Sequence, residues 1–223
     1  EITYGDWSSD VCSSDLQREK VGGWNRVSQS REFFATRIYQ APLAPPPLCR
    51  ELEAACRMLQ REDAAGRKWS SEHAYAGYTS YASIADLPYR SSNFAKLKGW
   101  IDREAAKFAR ALDMDLMDGR LEMTTCWVNV MRRGCSHSFH LHPLSTISGT
   151  FYVDVPAGSG ALKIEDPRLP AFMASPPRLE KARMENRRFH DISPSPGTLI
   201  LFESWLKHEV PQNRSAGERV SGS

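Results

Sequence analysis

The chain has 223 residues, of which 41% are hydrophobic and 25% charged, with a formal net charge of +2. That length is one domain's worth and can bury a sizeable core. No apolar run is long enough to span a membrane, and the basic residues are scattered, apart from a run near Arg178 to Arg188, which argues against a nucleic-acid-binding face.

The two ends read differently from the middle. Asp6-Trp7-Ser8-Ser9-Asp10-Val11-Cys12-Ser13-Ser14-Asp15-Leu16 back-translates to one frame of a short-read sequencing adapter, and Glu1, Ile2 and Gly5 fit it too. Residues 1–16 are therefore read as an artefact, not native sequence, and are set aside from fold reasoning. Without Glu1, Asp6, Asp10 and Asp15, the 29 basic residues stand against 23 acidic ones, a net charge of +6. Residues 17–31 are a polar tail that predicts no element. At the far end, Arg219 to Ser223 reads as a strand that has only begun, so residues 32–223 are expected to be one domain, C-terminally truncated. Cys49, Cys56, Cys126 and Cys135 form no CxxC pair and follow no secretory leader, which predicts reduced thiols in a cytoplasmic protein.

In chain order, Phe33 to Tyr39 predicts a short strand. A proline-rich linker, Pro42 to Pro47, leads into a helix from Leu48 to about Asp63, with Leu48, Leu52, Ala55, Cys56 and Leu59 on one face. Residues 66–90, rich in Gly, Ser and Tyr, predict irregular or edge-strand structure that could serve as a substrate lid. Ser91-Ser92-Asn93 predicts the cap of a second helix, whose buried face carries Phe94, Leu97, Trp100, Ile101, Ala105, Phe108 and Leu112. After Asp118-Gly119 short β runs take over: Leu121 to Met131, Ser145 to Val155, Gly160 to Ile164 and Gly197 to Phe202. Arg178 to Arg188 predicts a loop or short helix. Helices first and strands after, without alternation, exclude a doubly wound parallel sheet. The expected class is mainly β (α+β): a double-stranded β-helix of jelly-roll or cupin-like form, supported by N-terminal helices.

Chemistry concentrates in three places. His140-Leu141-His142 places two imidazoles two residues apart; on a strand both would point to one face with Cα atoms roughly 6.5 Å apart. His208 follows the apolar run Leu199 to Phe202 and would lie near the end of a late strand. Neutral imidazoles are common ligands of iron, zinc and copper. Arg219 and Ser221, two residues apart, would share a strand face beyond His208. A guanidinium fork grips a carboxylate through two parallel hydrogen bonds and keeps its charge at any working pH.

At these residues the chain resembles the 2-oxoglutarate/Fe(II)-dependent oxygenase superfamily, and within it a bacterial family of oxygenases whose substrates are not established. The resemblance covers roughly residues 33–223. Its motifs are Trp127-Val128-Asn129, His137 to Pro143, Ser148 to Val153, Asp166-Pro167-Arg168 and Pro196 to Val210. It implies Fe(II), 2-oxoglutarate as co-substrate and O₂, with His140 and His208 as iron ligands and Arg219 and Ser221 holding the co-substrate. Asn129 and Thr150 are candidates for the same pocket. Hydroxylation, with 2-oxoglutarate converted to succinate and CO₂, is the implied outcome. The chain departs from the superfamily where His-x-Asp or His-x-Glu is usual: His142 stands in the carboxylate's place. Three explanations compete: His142 itself as third metal ligand, Asp166 supplying a carboxylate from a neighbouring strand, or water in the third position. His142 is favoured, while Asp166 is read as a turn cap before Pro167 and His137 as a loop or supporting residue. Trp127, Phe151, Tyr152, Phe202 and Trp205 are read as core.

Two other readings compete: a three-histidine cupin-like metal dioxygenase that does not use 2-oxoglutarate, and a non-catalytic ligand-binding β-helix protein. A zinc hydrolase ranks last, because no general base is evident beside the histidine pair. The expected substrate is a small molecule or a protein side chain, with no nucleic acid or membrane partner, and a homodimer is one option for assembly.

Overall fold

The computed structural model describes residues 30–42 and 44–223. The adapter-like residues 1–16 and nearly all of the 17–31 tail lie outside the described residues. One compact unit spans Thr36–Ser223. Residues 30–35, grouped apart from it, form no helix or strand.

The unit opens with β1 (Ile38–Pro42) and the helices α1 (Pro46–Glu62) and α2 (Ala64–Glu72). The two-residue β2 (Tyr78–Thr79), the single-turn α3 (Leu87–Arg90) and the long α4 (Ser92–Ala111) follow. The remainder is β: β3 (Val128–Met131), β4 (His137–His140), β5 (Ile147–Asp154), β6 (Leu162–Glu165), β7 (Phe189–Ile192), β8 (Thr198–Glu203), β9 (His208–Val210) and β10 (Arg219–Gly222). They form a six-stranded sheet in the order β1-β8-β5-β10-β3-β2 and a four-stranded sheet in the order β4-β9-β6-β7, with antiparallel pairing throughout both. This is the expected double-stranded β-helix with supporting helices.

Side-chain alternation along the major sheet separates its two faces. Phe151, Val153, Leu199, Leu201, Val128, Val130 and Val220 point to one face and pack with Leu48, Leu52 and Cys56 of α1 and Phe94, Leu97 and Phe108 of α4. These helical residues are those whose 3.6-residue spacing marked a buried face in the sequence. On the opposite face of the same strands, Tyr152, Ile200 and Phe202 pack against Leu162, Ile164 and Leu206. The polar members of that second face are Asn129, Thr150, Arg219 and Ser221, and they floor the space between the sheets.

Several expected boundaries move. The first strand begins at Ile38, not Phe33, and Phe33 and Phe34 are exposed. The strand expected from Leu121 is confined to Val128–Met131; Cys126 before it makes only an isolated bridge to Asp86. Ser91 occupies the N-cap of α4 but makes no side-chain cap hydrogen bond. Helix α2 falls in a stretch read as irregular. Its Gly66 suggested a loop, yet a Cβ there would sit 2.9 Å from the Thr79 carbonyl oxygen, so close packing against β2 requires the glycine. The capping signal was nonetheless present, since Asp63 accepts a hydrogen bond from the Gly66 N–H at 2.9 Å. Strand β7 was also missed: Phe-His-Asp-Ile carries weak alternation and follows a charged run, and only pairing with β6 fixes it as a strand.

Candidate metal centre

His140 ends β4 and His208 begins β9, and the two are directly opposite in the antiparallel pair. Cross-strand neighbours of this kind bring side chains together, and the ring centroids lie 4.3 Å apart. His142 is placed differently from the strand geometry expected for it. β4 stops at His140, and His142 opens the turn toward β5, its backbone N–H donated to the Ser204 carbonyl at 3.0 Å and its own carbonyl accepting from Ser145 N at 3.3 Å. Pro143 after it has no N–H to donate to a ladder, so the strand cannot simply continue. The imidazole still converges: its centroid is 5.1 Å from that of His140 and 5.2 Å from that of His208. One donor atom from each of the three rings lies within 4.8 Å of the others.

Hydrogen bonding selects the tautomers. His140 Nδ1 is 2.8 Å from the Ser138 carbonyl oxygen, and His208 Nδ1 is 2.8 Å from the Leu206 carbonyl oxygen. A carbonyl only accepts, so each Nδ1 carries the proton and each Nε2 keeps its lone pair. Burial pushes the pKa of His208 down to about 3, against the opposing pull of its Leu206 bond. Burial, aided by the neighbouring His140, also lowers that of His142. His208 and His142 are thus held toward the neutral form, the form a metal needs.

His137, read from sequence as a loop or supporting residue, lies in β4, one β-bulge away from His140. Its ring stacks on that of His140 at 4.3 Å and meets Tyr75 edge-on at 6.1 Å. Asp166 accepts the Arg168 backbone N–H at 2.8 Å and is gripped by the Arg168 guanidinium at 2.7 and 3.0 Å, a turn cap that is also an ion pair. Glu165 nearby is bound by Lys207 and Arg188. Neither carboxylate joins the three-imidazole group.

The imidazoles open into a cavity of about 720 Å³ whose lining also includes Asn129, Met131, Thr150, Arg219 and Ser221. Arg219 is 1% exposed. Among the described residues its only side-chain hydrogen-bonding contact is a weak one from Nη1 to the Met131 sulfur at 3.7 Å, and its Nε has no partner there. The guanidinium carbon sits 4.9 Å from the Tyr152 ring centroid, and the buried Tyr152 hydroxyl is likewise without a partner. Among the described residues no carboxylate pairs with Arg219. A buried cation in that state is costly unless an anion meets it. Ser221, on the same face of β10, pairs in register with Asn129 of β3 and Tyr152 of β5. Thr150 Oγ1 and Asn129 Nδ2 approach Ser223 Oγ at 3.4 and 3.3 Å.

Two polar residues of this region escaped the sequence reading. Tyr152 was assigned to the core, and it is buried, but its even spacing from Thr150 places it on the polar face beside Arg219. Tyr75 also lines the cavity, with a buried, unpartnered hydroxyl, and no periodic signal marks it. Phe151 and Phe202 are core as expected, whereas Trp205 is 45% exposed and Trp127 lines the cavity. The four cysteines among the described residues are free, and burial pushes the thiols of Cys56 and Cys126 up to about 12, so both stay protonated.

Residues 125–223, which contain every member of this site except Tyr75, match the family described as "Putative 2OG-Fe(II) oxygenase". The likeness over this region is to the 2OG-Fe(II) oxygenase family. The family's members are oxidoreductases that use iron, 2-oxoglutarate and O₂. The fold agrees with solved structures of low sequence identity. A Pseudomonas putida prolyl-4-hydroxylase aligns with a TM-score of 0.55 at 19% identity, over 84% of this chain and 90% of that one. The α-ketoglutarate-dependent epimerase SnoN of nogalamycin biosynthesis aligns at 0.56 and 15%, over 84% and 74%. HygX from Streptomyces hygroscopicus, solved with nickel and 2-oxoglutarate, aligns at 0.54 and 15%, over 84% and 81%. No curated protein matches the sequence. Among the described residues no helix is long and apolar enough to cross a membrane.

Proposed function

We propose that this 2OG-Fe(II) oxygenase binds its iron through His140, His142 and His208 and its 2-oxoglutarate through Arg219 and Ser221, with Asn129 and Thr150 completing the polar floor. The observation that carries the reading is Arg219: a fully buried guanidinium with no counter-ion among the described residues, in the same cavity as three converging imidazoles. A dicarboxylate with one end at the metal and the other at the arginine would satisfy both. Three nitrogen donors suit a first-row divalent metal and leave further coordination positions open. When bound, Fe(II) with 2-oxoglutarate and O₂ supplies the oxidising chemistry that hydroxylates a substrate C–H bond.

The chain's own residues bind, orient and exclude water. Ser138 and Leu206 carbonyls hold the His140 and His208 rings with Nε2 free. Arg219 would fix the distal carboxylate of the co-substrate by a paired hydrogen bond, with Tyr152 and Ser221 as hydroxyl donors beside it. HygX, which shares the fold, was solved with nickel and 2-oxoglutarate, and this supports 2-oxoglutarate as the co-substrate. A three-histidine dioxygenase that dispenses with 2-oxoglutarate leaves Arg219 without a purpose. The substrate is a small molecule or a protein side chain, and reduced, buried thiols fit a cytoplasmic setting.

The test is anaerobic addition of Fe(II) and then 2-oxoglutarate. A visible metal-to-ligand charge-transfer band is expected, absent in His208→Ala and weakened in Arg219→Ala. Iron binding without a band would overturn the co-substrate assignment, and no iron binding would overturn the metal site.

A further inference from the structure

The wall beside the imidazoles is aromatic. The Trp127 ring stacks on His142 at 6.4 Å with 28° between planes, and Tyr81 meets Trp127 edge-on at 5.2 Å. Both line the cavity, and Tyr81 is 57% exposed although nothing in its position demands that a large ring face water. Leu141 and Leu144, also in the lining, are 47% and 100% exposed. Exposed large apolar side chains gathered at the rim of a cavity mark a surface that a ligand covers.

Charge narrows the ligand's class. The lining holds three formally charged side chains: Arg219, Asp102 and Glu122. Asp102 and Glu122 are both bound by Lys98, at 2.7 and 3.2 Å, so neither is free to receive a cation. Arg219 is deep and is assigned to the co-substrate. With Arg219 paired to the co-substrate, a cationic ligand would find no free carboxylate along the aromatic wall, and the pull of two ring faces on a cation is small. An anionic ligand would find no lysine or arginine along the aromatic wall. What Trp127 and Tyr81 offer is flat, polarisable area at low entropic cost.

We propose that Trp127 and Tyr81 form the primary-substrate subsite and that it takes an uncharged small molecule with a flat aromatic or fused-ring face, not an amino-acid zwitterion or a polyamine. This assignment rests on reading His140, His142 and His208 as the reacting centre. It sets the ring system of the substrate against Trp127, next to His142.

Calorimetric titration of the full chain with three naphthalenes of equal shape tests it: 2-naphthol, 2-naphthoate and 2-(aminomethyl)naphthalene, which are neutral, anionic and cationic at neutral pH. The neutral probe is expected to bind about fivefold tighter than either ion. Tyr81→Ala and Trp127→Ala should each weaken it by about fivefold, the size of one aromatic contact, while Tyr81→Phe retains it. Tyr81 is exposed, so its variants report even where Trp127→Ala fails to fold. Equal or better binding of a charged probe, or a naphthol affinity unmoved by Tyr81→Ala, overturns the proposal. The Fe(II)–2-oxoglutarate band recorded on the same samples separates the two claims. A band without naphthol binding leaves the oxygenase reading intact and removes this one, and naphthol binding without a band removes the oxygenase reading and with it the role of the wall as a substrate subsite.

Discussion

His140 and His208 are cross-strand partners, and each is oriented by the same local device: its Nδ1 bonds to the carbonyl oxygen of the residue two places earlier, Ser138 within β4 and Leu206 in the turn before β9. The local backbone thus sets the tautomer of each histidine, and antiparallel pairing brings the two Nε2 atoms into one space. No side chain is needed to orient them.

Loss of either ring should therefore be severe. His140→Ala and His208→Ala are expected to weaken Fe(II) binding by more than about 100-fold, beyond the range measured when only supporting groups of metal ligands are removed. Anaerobic equilibrium dialysis against Fe(II) measures this directly, and iron retained by both variants would remove them from the ligand set.

His142 sits on a turn with no carbonyl fixing its ring, so its contribution should be smaller and its identity more replaceable. His142→Asp is expected to keep Fe(II) and the 2-oxoglutarate band, because a carboxylate there recreates the two-histidine, one-carboxylate face. His142→Leu should lose more iron affinity than His142→Asp and less than His208→Ala. A ranking that placed His142→Leu with wild type would leave the third position to water.

Arg219 predicts a trade of stability against binding. Its charge is buried without a counter-ion among the described residues, so Arg219→Met, similar in length and apolar, should stabilise the ligand-free protein by about 1–3 kcal/mol. The same variant should lose the melting-temperature rise that 2-oxoglutarate gives wild type. Arg219→Lys should recover the charge but bind the co-substrate weakly, because an ammonium cannot form the paired hydrogen bonds. Differential scanning fluorimetry with and without 2-oxoglutarate reads all three proteins, and an Arg219→Met protein that melts lower than wild type would argue for an undetected anion partner.

The metal-free protein should be acid-labile over a defined range. Burial depresses His208 to about 3, against an ordinary value near 6.5. Above that ordinary value both folded and unfolded chains are neutral at this residue, and it makes no difference to stability. As pH falls below it, the unfolded chain takes up a proton that the folded chain refuses, so stability declines down to the folded value. His208 alone gives a slope approaching about 1.4 kcal/mol per pH unit, and His142 adds to it in the same direction. Urea midpoints between pH 7 and 4 should fall accordingly, and His208→Gln should flatten the slope.

Sequence patterning determined most of the fold because its signals are local. The helical spacing of Leu48, Leu52 and Cys56, and of Phe94, Leu97 and Phe108, marks one face of each helix whatever lies opposite. The β runs around Phe151 and Leu201 were visible for the same reason. Signals failed where tertiary packing overrides propensity. Gly66 sits in a helix because the β2 backbone lies against it, and β7 is a strand because β6 pairs with it. The metal and co-substrate candidates were named from residue type and spacing, which fix the chemistry available but not its placement.

Placement was a tertiary decision. His142 reached the cluster from a turn, not from a strand face, because β4 ends at His140 and the Ser204 carbonyl anchors the His142 backbone amide. Nothing in Tyr75 or Tyr152 as residues distinguishes a core aromatic from one beside a buried cation; only the pairing of β10 with β3 and β5 supplies that cation. The sequence by itself determined the sheet-forming core and the residue types that can bind a metal and a carboxylate, since both follow from side-chain chemistry and short-range periodicity. Which of those residues meet, which acids are already taken by a neighbouring arginine or lysine, and which cation is left without a partner depended on strand register and burial, which join residues far apart in the chain.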